Sequence, residues 1–331
     1  MSIDPLLTIA SFGIGIVVGL TGMGGGALMT PVLVLFFNIP PLTAVSSDLV
    51  ASAIMKPVGS AVHLRRGTVH MGLVKWLCIG SIPGAFSGVL IARALGHGAE
   101  VQEIVRTALG VALLLAAIGL IVRAYLRLLE YARRRDGRAP PLPQGPPTVE
   151  LKVMPTILVG AVGGVVVGLT SVGSGSLIII ALMALYPALK ANELVGTDLV
   201  QAVPLVLAAA ISNIALNGLD CGILVPLVIG SVPGTLIGAR IAPRVPQSFI
   251  RRGIVVVLSM SGVALLDKAG WAPLGKDETH PVLIAVVGLV MVVLVPLIWG
   301  VLRRQQGLPM FGTPTVAQLE DPEYVGGRRR G

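Results

Sequence analysis

Two glycine-rich interruptions, each in the middle of a long apolar run, constrain this chain more than any other feature. The first is Gly19–Pro31, GLTGMGGGALMTP, and the second is Gly168–Leu177, GLTSVGSGSL. A bilayer-spanning helix tolerates a break least at its centre. Gly22, Gly24, Gly25 and Gly26, with Gly173 and Gly175 in the second copy, let the backbone leave helical geometry and bring bare N–H groups close to a ligand. In lipid such backbone survives only where protein buries it or where it lines a water-filled cavity. One break in each half is the pattern of a transporter's binding site.

The first apolar segment runs from Leu6 to Phe37. As one helix it would be about 48 Å long, well beyond the ~30 Å hydrocarbon core of a bilayer. The glycine break predicts two short arms that enter and leave on one side. Spans follow at Leu42–Leu64, Met71–Leu95 and Ile104–Tyr125, then a basic, proline-rich linker, residues 126–152, read as a flexible cytoplasmic loop. The second half opens with another broken segment, Val153–Tyr186, followed by spans at Leu194–Leu216, Gly222–Ala242, Phe249–Leu266 and Val282–Leu302. Residues 1–125 and 153–268 then form two transmembrane repeats, 269–302 an extra C-terminal helix and 303–331 a cytoplasmic tail. Composition agrees: 12% of residues are charged and 54% are hydrophobic, against about 25% charged in a soluble domain. The net charge of +9 excites no nucleic-acid reading, because Arg65, Arg66, Arg133–Arg135, Arg251, Arg252, Arg303 and Arg304 sit beside spans and control topology. MSIDPLL lacks a basic n-region and is read as the retained first segment. Cys78 and Cys221 form no ligand pattern, so neither metal nor disulfide is expected.

The halves are copies. Val18-Gly19-Leu20-Thr21 matches Val167-Gly168-Leu169-Thr170, and Gly24, Gly26 and Leu28 match Gly173, Gly175 and Leu177. After one inserted residue, Asp48-Leu49-Val50 matches Asp198-Leu199-Val200, Gly80-Ser81 and Pro83-Gly84 match Gly230-Ser231 and Pro233-Gly234, and Gly88 matches Gly238. With the basic linker inside, the remaining basic loops also fall inside only if Val153–Tyr186 returns to the side it entered from. The expected fold is therefore all-α and polytopic, with two homologous, inverted repeats, each carrying a glycine-broken re-entrant hairpin.

GLTGMGGGALMTPVL, HLRRGTVHMGLVK and GSIPGAFSGVLIA, with weaker second copies, resemble the TauE/SafE sulfite exporter family, also called the toluene-sulfonate uptake permease family. The resemblance covers most of residues 10–265. It implies secondary transport of sulfite, sulfonates or sulfoacetate across the cytoplasmic (inner) membrane. The second copy departs from the pattern, with Ser174 in place of Gly25 and Ile180 in place of Pro31, which predicts unequal half-sites.

If the two hairpins meet, the N-terminal end of each second arm points at the meeting place, where free N–H groups and the helix dipole favour an anion. Thr21, Thr170, Ser171, Ser174 and Ser176 would add hydroxyls. The blander reading is that the glycines only permit close helix packing. Asp48, Lys56 and Asp198 are ionisable residues deep in spans, where a functional role is the default hypothesis. Lys56 would supply positive charge for the anion, and its counterpart Val206 cannot. Asp48 and Asp198 suggest coupling to a proton or another ion; alternatively they cap helices, as SSDL and GTDL allow, or Asp48 pairs with Lys56 for neutrality. His63 and its counterpart Asn213 are weaker candidates, and His70, His97 and His280 read as loop residues. The glycine motif lacks the Lys-Ser/Thr of a phosphate loop, and no catalytic or metal-binding constellation is placed, so neither an enzyme nor a cofactor is expected. Rival readings are an anion channel, a membrane-embedded enzyme or partner subunit of sulfur metabolism, and a cation transporter using the aspartates.

Overall fold

The computed structural model describes residues 4–21, 25–65, 67, 69–95, 98–135, 150–173, 175, 177–186, 189, 191–241, 247–271, 280–305, 324–325 and 328–329. Among them are eleven helices: α1 (Pro5–Thr21), α2 (Gly26–Leu35), α3 (Pro41–Arg65), α4 (Met71–Ala94), α5 (Ala99–Arg135), α6 (Val153–Thr170), α7 (Leu177–Leu185), α8 (Ala191–Asn217), α9 (Cys221–Ile241), α10 (Gln247–Lys268) and α11 (Pro281–Gln305). Tyr324–Val325 and Arg328–Arg329 pair as a minimal antiparallel hairpin in the tail. Both glycine segments separate helices, α1 from α2 and α6 from α7. Six helices are long and apolar enough to cross a membrane: α4, α6, α9, α11 and the stretches Glu100–Val122 of α5 and Glu193–Leu216 of α8. α3 has the length, at 25 residues, but buries Ser46, Ser47, Asp48, Ser52 and Lys56.

One boundary differs from the sequence reading. α5 runs on to Arg135, so the first ten residues assigned to a flexible linker continue a helix. Leu126–Arg135 contains no glycine or proline and consists mostly of good helix formers, and Leu128 is buried. Residues 136–149 lie outside the described residues.

Helix directions follow from the contacts. Gly80, Gly84 and Gly88 of α4 face the carbonyls of Ile157, Ala161 and Val165 of α6, so these helices run parallel at backbone contact. Gly230, Gly234 and Gly238 of α9 face the carbonyls of Thr8, Phe12 and Ile16 of α1 in the same way. Every residue in one set is the repeat counterpart of a residue in the other. A Cβ at any of the six glycines would occupy the space of the facing carbonyl, the small-residue packing that lets membrane helices approach closely. Each half thus lends its first arm to the other.

The counterparts α3 and α8 run in opposite directions. Ser46 Oγ, near the start of α3, donates to Asn213 Oδ1, near the end of α8, at 2.7 Å. Ser60 Oγ, near the end of α3, donates to the Leu199 carbonyl, near the start of α8, at 2.8 Å. α5 and α10 also oppose, with Gly110 against Leu266 and Gly262 against Leu114. α4 and α8 run parallel, joined by Gln201 Nε2–H to Ser81 Oγ at 2.6 Å and His70 N–H to Thr197 Oγ1 at 3.0 Å. α6 and α8 therefore point the same way, which obliges α7 to turn back. Side chains mark that return: the Tyr186 hydroxyl, just past α7, lies 2.6 Å from Thr156 Oγ1 and accepts from the Lys152 N–H at 2.9 Å, both at the start of α6. The second glycine segment is the tip of a hairpin that closes on itself. α11 lies outside, against α10, with Gly288 on Met260 and a largely exposed apolar face.

Candidate functional site

The two breaks meet. Ser171, the residue after α6, takes a left-handed conformation (φ 57°) that ends the helix. Gly173 (φ 124°) and Gly175 (φ 102°) follow in backbone regions that favour glycine. The Gly173 carbonyl accepts the Leu177 N–H at 3.1 Å as α7 begins. From the other hairpin, Gly26 packs on Ser171 so tightly that a Cβ there would collide with the Ser171 carbonyl oxygen. The start of α2 and the end of α6 are in contact.

Asp48 of α3 sits at this junction and is fully buried. Its Oδ2 accepts Thr30 Oγ1–H from α2 at 3.0 Å and Ser171 Oγ–H from the opposite tip at 2.5 Å. One carboxylate oxygen thus ties both hairpins to α3. The other, Oδ1, has no hydrogen-bond partner among the described residues, and neither does Ser52 Oγ, one turn further along α3. Ser52 lies close to the carboxylate without a hydrogen bond of ordinary geometry. Gly25 stands at the N-cap of α2, which therefore starts with no side-chain cap. The site where free N–H groups favour negative charge is thus flanked by the protein's own carboxylate. Sequence reasoning placed an anion at the tips and did not foresee this.

Lys56, two turns beyond Asp48, is 5% exposed, and Asp198 of α8 is 1% exposed. The Lys56 ammonium is attracted by Asp198 first and by Asp48 second. Both aspartates lie well inside their helices, so neither caps the helix it belongs to. Lys56 and Asp48 attract each other, and Lys56 is shared with Asp198 of the other half.

The remaining candidates divide. Thr21 Oγ1 donates to the Val17 carbonyl at 2.9 Å, and Thr170 Oγ1 to the Val166 carbonyl at 2.6 Å, so both hydroxyls help finish their own helices. Thr170 Oγ1 also accepts the Val172 N–H at 3.2 Å. Gly22, Gly24, Ser174 and Ser176 lie outside the described residues. His70 caps α4, accepting the Leu73 N–H at 3.4 Å, and His280 Nδ1 lies 3.0 Å from Asp267 Oδ1 at the α10–α11 connection. Thr30 and Ser52 were missed. Their signals were present: Thr30 belongs to the first glycine motif, and Ser52 follows Asp48 at the spacing that shares a helix face.

Comparison with known proteins fits this architecture. Residues 7–265 match the family described as Sulfite exporter TauE/SafE. The chain belongs to that family. It is 42% identical over 258 residues to the Bacillus subtilis (strain 168) protein named Probable membrane transporter protein YjnA, an alignment covering 76% of this chain and 96% of that one. It is 27% identical over 265 residues to Probable membrane transporter protein YdhB of the same organism, covering 79% and 99%. No solved structure matches. The TauE/SafE chain is thus a multi-pass membrane protein of a transporter family.

Beside the junction, this TauE/SafE protein has a cavity of about 750 Å³ between α5 and the second hairpin. Glu100 and Glu103, in the first turns of α5, line one end, Val111, Leu115 and Val166 the walls, and Thr170 the end next to the hairpin tip. It connects the start of α5 with the residue adjoining Ser171.

Proposed function

We propose that this chain is a secondary carrier of small sulfur-containing oxyanions, of the sulfite, sulfonate or sulfoacetate type, working by alternating access at the hairpin junction in the cytoplasmic (inner) membrane. The observation that carries the reading is the contact of Gly26 with Ser171 around Asp48. Two non-helical segments meeting between repeats is how carriers build a site that can be opened to either side. Loop charge supports an orientation. Arg65 at the end of α3, Arg135 at the end of α5 and Arg303 and Arg304 at the end of α11 share one face, which is cytoplasmic by the positive-inside rule. The second hairpin then enters from the cytoplasm and the first from outside, and the apolar cavity leads from the outer face to the second tip. The family's description names sulfite, a small sulfur oxyanion. Lys56 and the uncapped start of α2 supply the positive charge.

The test is flux in proteoliposomes containing the purified full chain, with sulfite, methanesulfonate and sulfoacetate offered against chloride and lactate. A carrier gives saturable flux of at least one sulfur oxyanion that responds to an imposed ion gradient. No flux of any of the three, or flux that neither saturates nor couples, overturns the proposal; the second outcome is that of a channel.

A further inference from the structure

We infer that the junction holds a coupling site for one monovalent cation, formed by Asp48 Oδ1 and Ser52 Oγ in the notch left by the missing side chain of Gly25. This rests on the carrier reading and names the charge that moves with the anion.

The first support is geometric. Oδ2 of Asp48 already has two hydroxyl donors, whereas Oδ1 and Ser52 Oγ have no hydrogen-bond partner of ordinary geometry among the described residues, Ser52 lying only close to the carboxylate. Asp48 and Ser52 are 0% and 1% exposed. The point where a Cβ on Gly25 would sit is 3.2 Å from both atoms and 3.0 Å from the Met55 methyl, so the notch is small and has one apolar wall. Two buried oxygens, one of them a carboxylate, converge on one small space, and leaving such groups unpaired is costly. The lone pairs they offer suit a hard cation or a shared proton and repel an anion.

The second support is charge. The ionisable groups described as buried around the junction are two acids and one base, and Asp198 is the stronger partner of that base. The groups acting on Asp48 are Lys56 and the Ser52 hydroxyl on its own helix and, from α2 and α6, the hydroxyls of Thr30 and Ser171; Asp198 on α8 acts on Lys56. With all three ionised the cluster carries one negative charge, which opposes entry of an anion. One added cation at Asp48 neutralises it. Lys56 offsets one of the two carboxylates and the exchangeable cation the other, so the cluster no longer opposes the anion. The second half cannot duplicate the site, since Ile179 and Ala202 stand where the first half has Thr30 and Ser52.

The cation is a proton or Na⁺, and one substrate-free experiment separates the two. Thermal unfolding of the purified full chain is followed with NaCl up to about 200 mM, balanced by choline chloride, at about pH 5.5 and about pH 8, because a ligand selective for the native state raises apparent stability. A Na⁺ site gives a saturable rise in Tm with NaCl at the higher pH. A proton site gives extra stability at the lower pH without a sodium response. Either response should vanish in Asp48→Asn and need about tenfold more cation in Ser52→Ala, a shift equivalent to about 1.4 kcal/mol; if Asp48→Asn does not fold, Ser52→Ala carries the test. The inference is overturned if wild type responds to neither cation more than Asp48→Asn does, or if Ser52→Ala leaves the response unchanged, as a water-filled notch would. With no anion present, this failure leaves the carrier proposal standing. Retained cation stabilisation without oxyanion flux would remove only the substrate assignment.

Discussion

The two halves of the molecule keep their scaffold and discard their chemistry. Gly80, Gly84 and Gly88 in one half and Gly230, Gly234 and Gly238 in the other stand at equivalent places and face equivalent carbonyls. At the junction the correspondence fails. Thr30, Ser52 and Lys56 of the first half correspond to Ile179, Ala202 and Val206 of the second, and only Asp48 and Asp198 persist. The difference has a physical reason. Helices in backbone contact admit no Cβ in either copy, so each glycine is required twice. Buried charge is offset across the cluster and not within each half, so the lysine of one half can act on the aspartate of the other.

The largest effect expected concerns that lysine. Lys56→Met leaves buried carboxylates without their cation and should cost about 3–5 kcal/mol of stability, read by denaturant unfolding in detergent, with loss of oxyanion flux in proteoliposomes. Adding Asp198→Asn should restore more stability than adding Asp48→Asn, because Asp198 is the stronger partner. Equal restoration would erase the asymmetry between the halves, and faster transport in the single variant would favour a cation transporter.

The scaffold offers a symmetric counter-test. Gly84→Ala would press a Cβ on the Ala161 carbonyl, and Gly234→Ala would press one on the Phe12 carbonyl. Each should destabilise by about 1–3 kcal/mol, and the two thermal shifts should agree. A large disparity would mean that the interfaces differ in spite of their equivalent contacts. The smallest effect is expected outside the pairing altogether. Leu289 on α11 is 66% exposed, and Leu289→Ala should change stability by no more than about 0.5 kcal/mol. A larger loss in the same unfolding assay would make α11 part of the scaffold instead of an addition to it.

Much of this architecture was legible in the chain. Glycine clusters inside apolar runs announced the helix breaks, and the recurrence of Gly-Ser-x-Pro-Gly announced the duplication. The basic, proline-rich composition of the linker hides the end of helix α5, which continues through Leu126–Arg135. At the site, Asp48 and Lys56 stood out as charges among apolar residues. Thr30 and Ser52 did not, because hydroxyls are common in membrane helices and nothing local tells one that reaches a carboxylate from one that bonds its own backbone, as Thr21 and Thr170 do.

By itself the sequence determined that the helices break at the glycine clusters, that one half repeats the other, and that ionisable groups stand within apolar segments, since these depend on local backbone freedom, register and hydropathy. The tertiary structure alone decided that Ser171 reaches across 123 positions to Asp48 and that Lys56 answers more to Asp198 than to its neighbour on α3. Such pairings join separate elements. They exist only once the hairpin tips have met and water has been excluded from between them, which no local property of the chain encodes.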